Sequence, residues 1–428
     1  MMRKYRIYIL LLIILAAAGC EKEQMPQPDN RERAEKTVIA YFFGTSLSYY
    51  FNYNIADMQT AVARDFLENK RLLLFYSDVF MKPSIKEIYY DKRTHTVCTN
   101  TIEEVDFQPL TAEEFASHIN RMIDIAPADS YSMILLGHAT GWLPKTTDSG
   151  ETIYSLSPAP VMSKVPGAEI TRTVGESRTT LNISELARGL HQTGVKFNAL
   201  YFDMCFMSSI EAAYELRNET DFVIGSPCEI MGYGSPYNRI LQPLFEDDYQ
   251  SVCYEFWDFY QNEYTGRTSG CIATIETAKL NAVADVVKHI NAQPAAEGFN
   301  ILSVQAYEGN SSYPGKTGHW FYDVEDYFNS ICTDRSLTDA LTAALDGCVS
   351  NRHHTEQYFS AYNNAMNDIT HFSGITMTPD EKCIAAIDSQ LESSDLSDAD
   401  RKQLEPQKRM LEYYNASLRC TEWYRATH

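Results

Sequence analysis

The sequence predicts an α/β protein, a mostly parallel central sheet with helices on both faces. Two observations carry the prediction. Short apolar runs with little internal alternation recur at 37–48, 71–78, 132–137, 197–203 and 221–226. Segments of helical periodicity separate most of them, at 54–69, 111–125, 182–194 and 206–217. A strand apolar along its whole length is buried on both faces, so helices must cover it above and below. The chain has 428 residues, enough for one large domain with additions or for two domains.

The elements follow in order. Arg3, Lys4 and Arg6 precede an apolar stretch, Ile7 to Leu15, and then Ala16-Ala17-Ala18-Gly19-Cys20. This reads as an export signal, too short for a membrane-spanning helix. Its small residues ending in Gly-Cys resemble a bacterial lipobox, with Ala17 where leucine is commoner. Cys20 then becomes the lipidated first residue and anchors the chain to the cell envelope. The expected organisation is signal 1–19, polar tether 20–34, catalytic domain 35–240 and a C-terminal subdomain 241–428 that completes it. The tether is polar and holds Pro26 and Pro28.

After the tether, 37–48 reads as a strand running into a turn, 54–69 as a helix and 71–78 as a strand. "EIYYD" (87–91) is a short extended segment. The helix at 182–194 has Asn182 as its N-cap and Gly194 at its end. Residues 143–181 form a long polar loop rich in Gly, Pro, Ser and Thr, and loops of that length are functional or disordered. Beyond 240, helices are expected near 275–291, 336–349 and 381–416. Strand-like pieces stand at 300–307 and 373–377.

Composition excludes some functions. Net charge is −21, and an acidic surface opposes nucleic-acid binding, which needs a basic face. The ten cysteines show no Cys-x-x-Cys pair or tight zinc spacing. If Cys20 and Cys205 have separate roles, eight remain, and their pairing is open. His353, His354 and Glu356 lack the spacing of a His-Glu-x-x-His helix. "GNSSYPGKT" (309–317) imitates a phosphate loop, but five residues separate its glycines where the motif needs four. Pro314 also removes an amide from the cradle. A turn is the better reading.

Two strand ends carry the chemistry. His138 follows the strand 132–137 in "LLGHATGW", and Cys205 follows 197–203 in "LYFDMCFMSS". A helix lies between these strands, so a right-handed crossover makes them parallel neighbours, about 4.8 Å apart. A free thiol is mostly protonated at neutral pH, so a nucleophilic cysteine needs such an imidazole. A helix starting near Phe206 would add its positive end. Asp203, two residues before Cys205, faces the same way if the strand persists. There it can receive a cationic side chain, or else serve as an N-cap.

These blocks resemble those of the clostripain-like cysteine peptidases (family C11), in a bacterial lipoprotein form. So do "TVIAYFFGTSLSYYFNYNIADM", "GSPCEIMGYGSPY" (225–237), "HWFYDVEDYF" (319–328) and "FSGITMTP" (372–379). The resemblance implies a caspase-like three-layer α/β/α sandwich. It implies a cysteine endopeptidase with His138 and Cys205 as the dyad, a thioester acyl-enzyme, and Asp203 selecting Arg or Lys at P1. The backbone N–H groups of Cys205 and Ala139 would hold the oxyanion. The family normally has glycine at position 139; alanine keeps the N–H but resists positive φ. The expected partners are peptide substrates with a basic P1 residue and the membrane through Cys20, with no nucleic acid, the chain being a monomer. No cofactor is expected. Calcium dependence is known in part of the family, and without an EF-hand loop no calcium site is assigned. Self-processing after Lys145, Lys164, Arg172 or Arg178 is implied within 143–181. The competing reading is a catalytically weak or inactive surface-binding lipoprotein on a peptidase scaffold.

Overall fold

The sheet's central strands are apolar because each buries both its faces, and the side chains alternate between two cores. In β1 (Ala34–Phe42), Ile39 and Tyr41 enter one core while Val38, Ala40 and Phe42 enter the other. β5 (Ala128–Leu136) and β6 (Phe197–Asp203) repeat this, with Met133, Leu135, Leu200 and Phe202 on the first side. Ile134, Leu136, Ala199 and Tyr201 lie on the second. In this computed structural model the described residues are 33–43, 47–63, 67–78, 81–106, 110–143, 145–146, 152–153, 181–309 and 318–428. Cys20, Lys164, Arg172 and Arg178 lie outside them, as does 310–317 of the phosphate-loop imitation.

The other strands of this sheet are β2 (Lys70–Asp78), β3 (Met81–Asp91), β4 (Thr96–Glu104), β7 (Thr220–Gly225), β8 (Ile272–Glu276) and β9 (Val349–His353). They form one nine-stranded sheet in the order β9-β8-β7-β6-β5-β1-β2-β3-β4. The five strands from β7 to β2 are parallel, and two antiparallel strands close each edge. The expected α/β class holds, with antiparallel strands confined to the edges.

Among the described residues the second face is covered by α1 (Ser48–Val62), α5 (Tyr237–Phe245) and α6 (Tyr249–Asp258), which runs on into a π-helical turn at Phe259–Glu263. The first face carries α2 (Ala112–Ile125), α3 (Ile183–Gln192), α4 (Ile210–Leu216) and α7 (Leu280–Asn291). It also carries α8 (Val324–Ile331), α9 (Arg335–Cys348), α10 (Glu381–Glu392), α11 (Asp398–Leu418) and α12 (Glu422–Thr427). This is the three-layer α/β/α sandwich. Among the described residues no helix is long and apolar enough to cross a membrane.

Several expectations shift. The helix expected at 54–69 begins at Ser48. "EIYYD" belongs to an edge hairpin whose turn is held by Asp91, which accepts the N–H groups of Arg93 and Thr94 at 2.8 and 3.3 Å. None of β4 is buried, so it lacks the apolar signature of the inner strands. The stretch 300–307 is no strand; it holds a short 3₁₀ turn at Ile301–Ser303 and an isolated bridge from Ala306 to Tyr322. The helix expected at 381–416 is two, α10 and α11. The C-terminal half supplies β8 and β9 to the sheet, residue 240 falls inside α5, and 34–428 form one compact unit.

Candidate active site

β5 and β6 run parallel with Leu136 opposite Asp203. His138 and Cys205 each lie two residues beyond this last pair, so both follow the carboxyl ends of adjacent parallel strands. His138 is 9% exposed and Cys205 1%. The chain after β5 is pressed against its neighbours. A Cβ on Gly137 (φ +155°) would lie 3.0 Å from the Phe43 Cβ. One on Gly141 (φ +58°) would lie 2.8 Å from the Phe206 carbonyl oxygen and 2.9 Å from the Phe321 ring. The histidine loop therefore packs directly on the residue that follows the cysteine.

Ala139 between these glycines is fully buried. It is not among the described non-glycine residues with positive φ, which are His95, Phe206, Asp247 and Asn364. The backbone objection to alanine at this position is thereby removed. The positive φ sits instead at Phe206 (φ +59°), an unfavourable conformation for a bulky side chain. Its ring stacks on Phe321 at 4.6 Å, and its N–H donates to the Cys228 carbonyl at 3.1 Å.

The helix after the cysteine does not start at Phe206. α4 begins at Ile210 with Ser209 as its N-cap, accepting the Ala212 N–H at 3.4 Å. The extra turn between Cys205 and α4 takes the helix end away from the sulfur. The N–H of Ile230 approaches it instead, at 3.4 Å. Asp203 is no N-cap. Its Oδ2 accepts the Ser235 N–H at 3.1 Å and the Tyr237 hydroxyl at 2.8 Å, and it is fully buried. β6 ends at Asp203, so strand alternation does not extend to Cys205. Both side chains nonetheless meet the segment that leads from β7 into α5.

That segment, residues 226–236, is held from several sides. Tyr201 and Ser235 hydroxyls lie 2.7 Å apart, and Tyr260 donates to the Gly234 carbonyl at 2.6 Å. From α1, Asn54 donates to the Tyr233 carbonyl at 2.9 Å, and the Tyr233 hydroxyl donates to Asp57 at 2.8 Å. The blocks 319–328 and 372–379 also converge here. Thr376 N–H donates to the Ser208 carbonyl at 2.9 Å, and Ser208 Oγ to the Gly374 carbonyl at 2.6 Å. Trp142 Nε1 donates to Thr378 Oγ1 at 2.8 Å.

Sequence reasoning missed three buried acids around this site. Glu211 accepts the Thr378 N–H and the Ser209 hydroxyl, each at 2.7 Å, and burial pushes its carboxyl up to about 7. Glu229 accepts the Ala361 N–H at 2.8 Å. Glu308 accepts the N–H groups of Trp320 and Phe321. Burial drives its carboxyl well above the usual range, and Glu229 adds to the effect. Glu229 and Glu308 stand in the quoted block and directly before the phosphate-loop imitation. No local pattern marks them, because their burial arises from long-range packing. Of the metal candidates, His353 stacks on Trp257 and His354 lies against Phe372. Among the described residues no group of three His, Cys, Asp or Glu side chains is placed to hold a metal.

A cysteine and a histidine on matched ends of parallel strands, in an α/β/α sandwich, define a class of cysteine hydrolase. The comparisons give the family. The profile of the clostripain family, Peptidase C11, matches residues 41–384, and the chain belongs to that family. A secreted C11 cysteine protease from Bacteroides thetaiotaomicron, "iotapain", is 28% identical with a TM-score of 0.74, over 93% of this chain and 100% of its own. An inactive zymogen C11 protease from Parabacteroides distasonis is 23% identical with a TM-score of 0.70, over 93% and 99%. A secreted C11 protease from B. thetaiotaomicron bound to an irreversible peptide inhibitor is 21% identical with a TM-score of 0.69, over 92% and 99%. No curated protein matches. The protein is a C11 cysteine peptidase with the caspase-like fold.

Proposed function

We propose that this peptidase cleaves polypeptides after Arg or Lys at the cell envelope, with Cys205 as nucleophile and His138 as acid and base. The observation that carries the reading is the Leu136–Asp203 register, which sets both residues equally far beyond the carboxyl ends of adjacent strands. The Cys205 thiolate attacks the scissile carbonyl, and the oxyanion is held by the N–H groups of Cys205 and Ala139. The His138 imidazolium protonates the leaving amine, giving a thioester. Water activated by the neutral imidazole then releases the acid and restores the thiol. The Ile230 N–H lies 3.4 Å from the sulfur, within reach to donate to the thiolate once it forms. A buried carboxylate at Asp203, held by one amide and one phenol, favours a cationic P1 side chain.

The anchoring reading rests on the N-terminal pattern ending at Cys20, and the self-processing reading on the basic residues of 143–181. The test is direct. Mature protein, nicked within 143–181 where necessary, is assayed under reducing conditions on fluorogenic peptides ending in Arg, Lys, Asn or Asp. Turnover of the basic peptides, abolished in Cys205→Ala, supports the reading. Equal hydrolysis of Asn and Arg peptides rejects the Asp203 assignment. No turnover of any peptide favours the non-catalytic binding reading.

A further inference from the structure

The segment that touches both Cys205 and Asp203 lies beside β8, and two cysteines meet where they adjoin. Gly225 of β7 is the cross-strand partner of Ala273 of β8. Continuing this antiparallel register by two residues sets Cys271 opposite Pro227, next to Cys228. Pro227 has no N–H, so it cannot extend the ladder. Cys228 and Cys271 are 1% and 2% exposed and share one small buried cluster with Tyr307 and Tyr358. The Cys228 sulfur also lies 3.4 Å from Ser226 Oγ and 3.7 Å from the Glu229 carbonyl.

The position matters for the site. The Cys228 carbonyl accepts the Phe206 N–H at 3.1 Å, and Ile230, two residues on, presents its N–H to the Cys205 sulfur. Other buried cysteines have different neighbours. Cys253 lies 3.2 Å from Thr274 Oγ1, Cys348 faces the Glu276 carbonyl at 3.6 Å, and Cys332 the Asp334 carbonyl at 3.8 Å.

We propose that Cys228 and Cys271 are a disulfide-forming pair, and that oxidation fastens the 226–236 segment to β8. The oxidant is an external disulfide, either a small molecule such as oxidised glutathione or a dithiol oxidoreductase. One cysteine thiolate attacks a sulfur of that disulfide and releases one thiol. The second cysteine loses its proton, attacks the mixed disulfide and releases the other thiol. The pair gives up two electrons and two protons, and the external disulfide becomes two thiols. Burial holds the Cys228 thiol well above its ordinary range. Exchange in the closed protein is therefore slow, and the bond forms during folding or when the segment opens.

The chemistry is independent of the peptidase assignment, so its test needs no substrate. Full-length Cys205→Ala protein, which lacks the proposed nucleophile, is unfolded and refolded across a series of oxidised-to-reduced glutathione ratios. Free thiols are then blocked with N-ethylmaleimide, and the chain is digested without reductant for mass spectrometry. The expected result is a Cys228–Cys271 linked peptide whose fraction rises with the ratio and which is absent after Cys271→Ser. The oxidised form should melt about 5 °C above the reduced one, the shift expected for closing a loop of this length in a chain of this size. Maleimide on both cysteines of refolded protein at the most oxidising ratio overturns the proposal. So does a Cys228 linked to any other cysteine.

Discussion

The Ile230 N–H lies 3.4 Å from the Cys205 sulfur, although the two residues belong to segments separated by β7. The nucleophile is thus held partly by a loop, and the same loop grips Asp203 through Ser235 and Tyr237. Reaction and selection share one loop, which Asn54 and Asp57 of α1 and Tyr260 brace from outside. The predictions below separate their contributions.

His138→Ala should lower kcat/KM by about 10²–10⁴-fold, the range for loss of a positioned acid–base group. Cys205→Ala should leave no turnover. Both variants should melt close to wild type, because neither removes large packed volume. A His138→Ala enzyme within a few fold of wild type would remove histidine from the mechanism.

Asp203→Asn should lower kcat/KM for Arg peptides far more than for neutral ones. Tyr237→Phe should have a milder effect, about tenfold, because Asp203 keeps its Ser235 bond and loses one charge-assisted hydrogen bond. Competition between Arg and Gln peptides measures both. An unchanged Arg-to-Gln ratio in Asp203→Asn would show that the P1 carboxylate lies elsewhere.

Ala139→Gly should change kcat by less than about threefold, corresponding to less than about 0.7 kcal/mol, because Ala139 does not occupy the positive-φ region. Gly141→Ala is the contrasting case. At φ +58° its Cβ meets the Phe206 carbonyl and the Phe321 ring. A loss of about 1–3 kcal/mol is expected in denaturant unfolding, together with reduced activity. A large activity gain in Ala139→Gly would show that alanine limits this enzyme.

Glu211 makes stability depend on pH. Its folded carboxyl is raised by burial from 4.5 to about 7. A raised folded value means the folded state binds the proton more tightly. The contribution is therefore complete below about pH 4.5 and is lost as pH rises through about 7. It amounts to at most about 3 kcal/mol. Glu211→Gln should flatten the melting profile between pH 5 and 8, an expectation that rests on the raised carboxyl. A profile as steep as wild type would place the titration in another group.

Much of this protein is legible along the chain. The doubly buried strands announce themselves because apolar side chains must occupy both faces, as Ile39 and Val38 do in opposite cores. Asn182 marks its helix start, and Glu185 closes the cap by accepting its N–H at 2.8 Å. The edge hairpin was poorly legible because solvent permits polar residues on β4.

The sequence by itself determined the α/β class, the strand ends that carry His138, Asp203 and Cys205, and the family likeness. These depend on local periodicity and on the order of blocks. Only the tertiary structure decided that Ala139 needs no positive φ and Phe206 takes it instead. It also set Ile230, rather than a helix end, at the sulfur, and brought Glu229, Glu308, Cys228 and Cys271 into place. Those relations depend on which distant segments pack together, and long-range contact leaves no periodic trace in the residues that make it.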